Sequence, residues 1–339
     1  MRRYTIWFSM LLLLTAAVPR QASAQGQQEP IKTTMAAFAG TFASFVAYVA
    51  QDLGLFKKHG LDVSMIYGTG SQVTTDLLSG STDFATFSIE HAVQVAEKGQ
   101  HLKVLAVLET SVPFTIIVRK QVPTPDAGKW PQAMHDLKGL KIAVSTRGAG
   151  SDNMLRYLLK QAGMDPDKDV TILPVGDPVA QIAALNAGQV DAAMAFEPTQ
   201  TVGDIALKIT KPLLDLEGGQ GPKVLQPYAY EGLSARADFI QKNPDTVKRV
   251  VAAIVDAERI IGDPAKLETI VGVAAKNMKG LDTAALRQYL EKYAKIYADP
   301  VASRKAIANV NAMLLGTGTI KASVPYEAVV DEHYLPHAR

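Results

Sequence analysis

The chain contains no cysteine. That excludes disulfides, thiolate catalysis, cysteine-ligated metals and a lipid carried on a cysteine behind a leader. Long apolar runs are scarce. The one at residues 6–18, interrupted only by Thr and Ser, falls short of the roughly 20 residues a membrane-spanning helix needs. Flanked by Arg2 and Arg3 on one side and Ala22-Ser23-Ala24 on the other, it reads as a secretory signal peptide over 1–24, with cleavage expected before Gln25. Once Arg2, Arg3 and Arg20 leave with that leader, the balance of 35 basic and 33 acidic side chains turns slightly acidic. No basic run remains that would grip nucleic acid. Catalytic motifs are missing too. There is no H-E-x-x-H, G-x-S-x-G or Walker A sequence, and GTGSQV and GAGSDN each lack the last glycine of a dinucleotide fingerprint. His333 and His337 stand four apart in a proline-broken tail without a third ligand nearby. No catalytic residue, metal or cofactor is therefore expected.

What is present is a statement made twice. Gly68, Gly80 and Asp83 mark out GTGSQVTTDLLSGSTDFATFS, and Gly176, Gly188 and Asp191 mark out GDPVAQIAALNAGQVDAAMAFEP. Each segment reads as a glycine turn, an amphipathic helix, a Gly-x-x-Asp turn and a small-residue strand. Upstream of each lies a helix ending at a glycine, Gly60 or Gly163, and a strand that runs into the next glycine turn. Two copies of one βαβ unit imply two similar α/β lobes, and a cleft between such lobes is where a small ligand goes.

Along the rest of the chain, strands are expected at 31–38, 62–67, 83–87, 102–108, 140–145, 208–216 and 229–235. Helices are expected at 45–58, 71–79, 89–98, 152–162 and 199–207. Residues 121–135 hold three prolines and read as an irregular excursion. After Tyr228 the pattern turns mostly helical, over 236–242, 244–262, 264–277, 282–296 and 300–315. Asn243-Pro244 and Asp263-Pro264 are helix starts with proline at the first helical position. Val247, Val250, Val251, Ile254, Val255 and Ile261 form a core-facing stripe. The second lobe, 115–230, is expected to be inserted into the first, 31–114 plus 231–339. The chain would cross near 112–115 and 229–233, and two crossings make a hinge.

The order of these motifs resembles a known family. GLFKKHGLDV, G-x-G-S-Q, LLSGSTDFA, V-S-T-x-G-x-G-S-D, LLKQAGMDP, L-N-A-G-Q-V-D-A and F-E-P look like the nitrate/sulfonate/taurine and thiamine-precursor type of periplasmic substrate-binding protein. The resemblance covers essentially the whole chain after the leader. It implies an α/β architecture of the type II periplasmic-binding-protein fold, with two lobes joined by a two-strand hinge. It also implies a monomer in the periplasm that delivers a small-molecule solute to an ABC permease and its ATPase, and no catalysis. A ligand-sensing protein for a membrane receptor would need the same closing cleft. Some members of the superfamily are pyrimidine synthases that use pyridoxal phosphate with a cysteine-rich motif, which a chain without cysteine does not match.

Ligands of open α/β sheets sit beyond the carboxyl ends of the strands. The rule selects Thr41, Phe42 and Ser44 in the first loop, then Gly70, Ser71 and Gln72, then Ser88 and Glu90. Further on it selects Phe114, then Arg147, Gly148, Ser151 and Asp152, then Asp177, and finally Phe196 and Glu197. Helix starts near Ser44, Ser71 and Ser151 could offer backbone N–H groups to an anion, or the serines could simply cap. Arg147 is either an anion clamp or a solvated loop residue. Phe42, Phe38, Phe114 and Phe196 either floor a ligand or pack in a core. Glu90, Glu109, Asp177 and Glu197 leave the ligand's charge open. If they face inward, the ligand carries donors, as a pyrimidine, amine or amidine does; if they face outward, they are solvated charges.

Overall fold

The computed structural model describes residues 29–68, 70–279 and 281–335; the expected leader at 1–24 and His337 lie outside them. Ten strands form two five-stranded mixed sheets. The first sheet holds Ile31–Phe38 (β1), Leu61–Gly68 (β2), Phe84–Ser88 (β3), Leu102–Glu109 (β4) and, from much later in the chain, Glu231–Arg236 (β10). The second holds Thr115–Arg119 (β5), Lys141–Val144 (β6), Thr171–Pro174 (β7), Ala192–Ala195 (β8) and Thr210–Asp215 (β9). Strand orders are β2-β1-β3-β10-β4 and β7-β6-β8-β5-β9. These are one pattern used twice. In each sheet the strand fourth in order runs antiparallel to both neighbours, β10 between β3 and β4, β5 between β8 and β9. The chain leaves the first sheet after β4 to supply β5, and leaves the second after β9 to supply β10, so each crossing delivers the antiparallel strand of the receiving sheet.

The repeat read from the sequence is a repeat of hydrogen bonds. Asp83, at the end of the first Gly-x-x-Asp turn, accepts from the Thr34 N–H at 2.9 Å; Asp191, at the end of the second, accepts from the Lys141 N–H at 3.0 Å. Each carboxylate thus fixes the start of the neighbouring strand and sets its register, Met35 opposite Phe84 and Ile142 opposite Ala192. At the other end of those strands Ser44 Oγ accepts from Phe38 N–H at 2.9 Å and Ser151 Oγ from Ser145 N–H at 3.0 Å. Both β3 and β8 are buried along their whole length, as central strands covered on two faces must be, and their small and apolar residues follow from that.

Most helices fall where the periodicity places them, with local departures. Gly54, at φ +70°, divides the expected 45–58 helix into Phe45–Asp52 and Leu55–Lys58. The 300–315 helix starts later, at Arg304, because Ser303 caps it by accepting from Ala306 N–H at 3.0 Å. The expected 199–207 helix is a short turn, Thr199–Thr201, followed by one π turn, Val202–Ala206. A short helix at Tyr326–Val329 was not expected. The apolar stripe of Pro244–Gly262 is buried as its spacing requires. One apolar cluster runs from β3 and β4 through Val112, Phe114 and Ile116 to Leu155 and Leu158 of Gly150–Gln161 and to Val310, Met313 and Leu314 of Arg304–Thr317. The chain's last third therefore packs on both sheets.

Candidate functional site

The carboxyl ends of β3, β4, β8 and β9 carry a row of acids. Glu109 ends β4, Glu231 opens β10 directly beside it, and Ser88 ends β3 on Glu231's other side. Glu90 follows Ser88 by two residues, Glu197 follows β8, and Glu217 follows β9. All are withdrawn from solvent: Glu90 and Glu109 are 1% exposed, Glu231 2%, Glu197 5% and Glu217 6%. Burial raises the affinity of each for its proton. It pushes Glu90 up to about 8 and Glu197 up to about 7. Glu109, Glu217 and Glu231 stand well above the ordinary carboxylate range, first through burial and then through one another: Glu231 acts on Glu109, Glu109 and Glu197 on Glu217, and Glu90 on Glu231. None of the five forms an ion pair with a lysine, arginine or histidine among the described residues.

Tyrosines line the row. Tyr228 donates to Glu90 Oε1 at 3.1 Å, and Tyr289 donates to Glu217 Oε1 at 2.6 Å while its oxygen also meets the Tyr297 hydroxyl. Glu197 accepts from Thr201 N–H at 3.1 Å. Tyr297 reaches Glu109 and Tyr230 reaches Ser88 with their hydroxyls, whereas Glu231 Oε2 and the buried hydroxyl of Thr41 have no hydrogen-bond partner among the described residues. Around the acids stand aromatic rings. Phe114 meets Phe196 and Tyr230 edge-on at 6.3 and 5.3 Å, and Phe42 lies 4.2 Å from the ring of Tyr289. The second sheet closes on the first at Gly150, the first residue of its helix. A side chain there would collide with the Tyr230 hydroxyl and lie 3.7 Å from Glu90 Oε2. Glycine is needed for that approach, and it brings the positive end of the Gly150–Gln161 helix to Glu90.

The sequence candidates divide between this row and the framework. Thr41, Phe42, Ser88, Glu90, Phe114, Phe196 and Glu197 belong to the row or its walls. Ser44 and Ser151 spend their hydroxyls on the strand ends Phe38 and Ser145, so neither caps its helix. Asp152 is buried, accepting from Gly148 N–H at 2.8 Å and pairing with Arg156 at 2.9 Å. Asp177 is an exposed helix cap that accepts from Ala180 N–H at 2.9 Å. Gln72 is exposed and bonds Asp76; Gly70 opens its helix, and the side chain of Ser71 lies outside the description. Arg147 is exposed and unpaired. Of the acids whose direction the sequence left open, Glu90, Glu109 and Glu197 are buried and Asp177 is solvated.

Glu217, Glu231, Tyr228, Tyr230, Tyr289 and Tyr297 were not singled out. Glu231 begins a strand, but that strand is antiparallel, so its start lies at the carboxyl ends of its neighbours. For Tyr289 and Tyr297 a signal existed: with Tyr293 they recur every four residues across 289–297, one face of a helix. Two surface hollows, one lined by Gln51, Asp52 and Lys57 and one by His59, Asp256 and Tyr334, lie elsewhere and include none of the row. Among the described residues no three His, Asp or Glu side chains converge as a metal ion requires, and no helix is long and apolar enough to cross a membrane.

The twice-used sheet pattern is that of the type II periplasmic binding proteins. The structure of the ligand-binding component of an ABC-type import system from Staphylococcus aureus, with zinc bound, superposes with a TM-score of 0.73 at 15% identity, over 91% of this chain and 99% of that one. The alkanesulfonate-binding protein SsuA from Xanthomonas axonopodis pv. citri, bound to MOPS, superposes with a TM-score of 0.70 at 19% identity, over 90% and 99%. In sequence, a binding protein of Brucella abortus is 28% identical over 274 residues, 80% of this chain and 79% of that protein. The NMT1/THI5 like family model matches residues 41–266. The chain belongs to that family.

Proposed function

We propose that the chain is the solute-binding component of an ABC importer: a secreted, monomeric periplasmic receptor that closes on a small organic solute or anion and presents the closed form to a permease and its ATPase. The moving bodies in this reading are 31–114 plus 231–339 and 115–230, and the solute, of the sulfonate, nitrate, carboxylate or pyrimidine class, sits between them. The observation that carries the reading is the buried row of polar and aromatic side chains at the facing carboxyl ends of the two sheets, where open α/β sheets take ligands. The import system of S. aureus and the sulfonate receptor SsuA, which share the fold, support it. No bond is made or broken; the solute acts by its higher affinity for the closed arrangement.

The test is thermal unfolding of the protein against nitrate, taurine, alkyl and aryl sulfonates, aromatic carboxylates and aminopyrimidines. A ligand at 100 times its dissociation constant adds about 2.7 kcal/mol, a rise of a few degrees. A rise with one class establishes solute binding and names its chemistry. A flat response to every class, and to an organic cation such as benzamidine added to the panel, counts against the receptor reading.

A further inference from the structure

The row between the sheets holds far more negative capacity than its surroundings compensate. Glu90, Glu231, Glu109, Glu217 and Glu197 act on one another in that order along it, without a basic partner among the described residues, and Lys292, on the helix of Tyr289, is engaged with Asp215 at 3.0 Å. A buried carboxylate is tolerated when it is paired or when it accepts hydrogen bonds. Glu231 has neither at one oxygen: it is 2% exposed and its Oε2 has no hydrogen-bond partner. Thr41 adds an independent sign, a hydroxyl 7% exposed with no partner. These groups wait for donors.

A metal ion would need several ligands converging on one point, and no three of the described His, Asp or Glu side chains do so. A sulfonate or nitrate brings acceptors alone and leaves the unpartnered Glu231 oxygen without a donor. The rings of Phe114, Phe196 and Tyr230 beside it offer faces to a flat or positively charged group.

We propose that the solute is a nitrogenous organic cation with several N–H donors, of the amidinium or guanidinium type, held by Glu109 and Glu231 with Ser88 and Glu90 at their side. The assignment rests on the receptor reading above and adds the sign of the ligand's charge. A planar amidinium places two parallel N–H bonds on one carboxylate. Glu109 and Glu231, side by side on adjacent strands, would then share the cation's single charge and one retained proton, and neither would face the other as a bare anion.

The experiment is calorimetric titration of the full protein with three probes of one shape and three charges, benzamidine, benzamide and benzoate, and with one aliphatic pair, butylguanidine and butanesulfonate. The expected result is that the cation of each set binds at least tenfold more tightly than its neutral or anionic counterpart. The double variant Glu109→Gln with Glu231→Gln should lose that preference by at least tenfold while its melting temperature stays at or above the parent's. Tighter binding of benzoate or butanesulfonate overturns the charge assignment and leaves the receptor reading standing. So does binding without charge preference, or a double variant that binds as the parent does. Heat from none of the probes also overturns the charge assignment, and the receptor reading then stands or falls on the solute panel described above.

Discussion

Replacing Glu109 by glutamine should make this protein more stable, although the residue is 1% exposed and lies at the end of β4, beside Glu231. Removing a buried polar group usually costs stability because partners are orphaned; the partner of Glu109, the Tyr297 hydroxyl, can bond a glutamine carbonyl instead. Burial and the neighbouring Glu231 keep the Glu109 carboxyl well above the ordinary 4.5, so over a range of pH the folded protein holds a proton that the unfolded chain has released, at a cost of about 1.4 kcal/mol per pH unit of that separation. Glutamine is close to isosteric and carries no proton to acquire, so that cost is the ceiling on the gain. Its amide needs an acceptor, which Glu231 and Glu217 can supply, and ordering it takes part of the gain back. A net gain of about 1–3 kcal/mol is expected, roughly a few degrees in Tm for a chain of this size. The gain must depend on pH. It should grow as pH rises above the unfolded value and vanish below it, where the parent's carboxyl is protonated in both states. Thermal melts of parent and variant from pH 4.5 to 8.5 measure it. A variant less stable at pH 7.5, or a difference that does not change with pH, refutes the uncompensated-carboxylate reasoning.

The parent itself should lose stability between about pH 5 and 8, because Glu197 and Glu90 titrate near 7 and 8 when folded. A raised folded pKa means stability is fully present below the unfolded value of 4.5 and is lost as pH rises through the folded one; Glu90 alone accounts for about 3–4 kcal/mol of this, and a Tm that climbs from pH 5 to 8 contradicts it. Binding of benzamidine at pH 7 should release about one proton from the Glu109–Glu231 pair, read as a heat that differs between phosphate and Tris buffers; equal heats refute proton release. Gly150→Ala should weaken solute binding at least tenfold with the fold retained, since the added methyl meets the Tyr230 hydroxyl; unchanged affinity would mean that the two sheets need not approach there. Asp83→Ala removes bonds to Thr33 Oγ1, Thr34 N–H and Thr34 Oγ1, whereas Asp191→Ala removes one side-chain bond, to Lys141 N–H. The first should cost about 2–3 kcal/mol and the second about 1, and denaturant melts showing the reverse order would refute the count.

The framework was legible in the sequence because it was written twice. The spacing of Gly68, Gly80 and Asp83 repeats at Gly176, Gly188 and Asp191, and a glycine turn with an acid three residues on has a local cause that can be read from one chain. The Asp83–Thr34 and Asp191–Lys141 bonds show what that spacing is for. The site is legible only in part, because it is built where the two copies differ. After β3 ends at Ser88 the first copy continues Ile89-Glu90; after β8 the second continues Phe196-Glu197-Pro198. Counted from the repeated aspartates, Glu90 lies seven residues beyond Asp83 and Glu197 six beyond Asp191, so the two are not equivalent positions of the repeat. Glu217 and Glu231 come from the two ends of a single crossing and have no counterpart in either repeat, and Tyr289 and Tyr297 come from the helical last third of the chain. A duplicated pattern identifies residues under a shared local constraint, a turn or a strand start. A binding surface between two copies must instead suit one solute, which need not share their symmetry, and its residues are gathered by topology from segments that no local pattern connects. The antiparallel strand β10 shows this most plainly. Only the sheet order places its first residue, Glu231, between Ser88 and Glu109, and that juxtaposition is what brings two buried carboxyls together in the row.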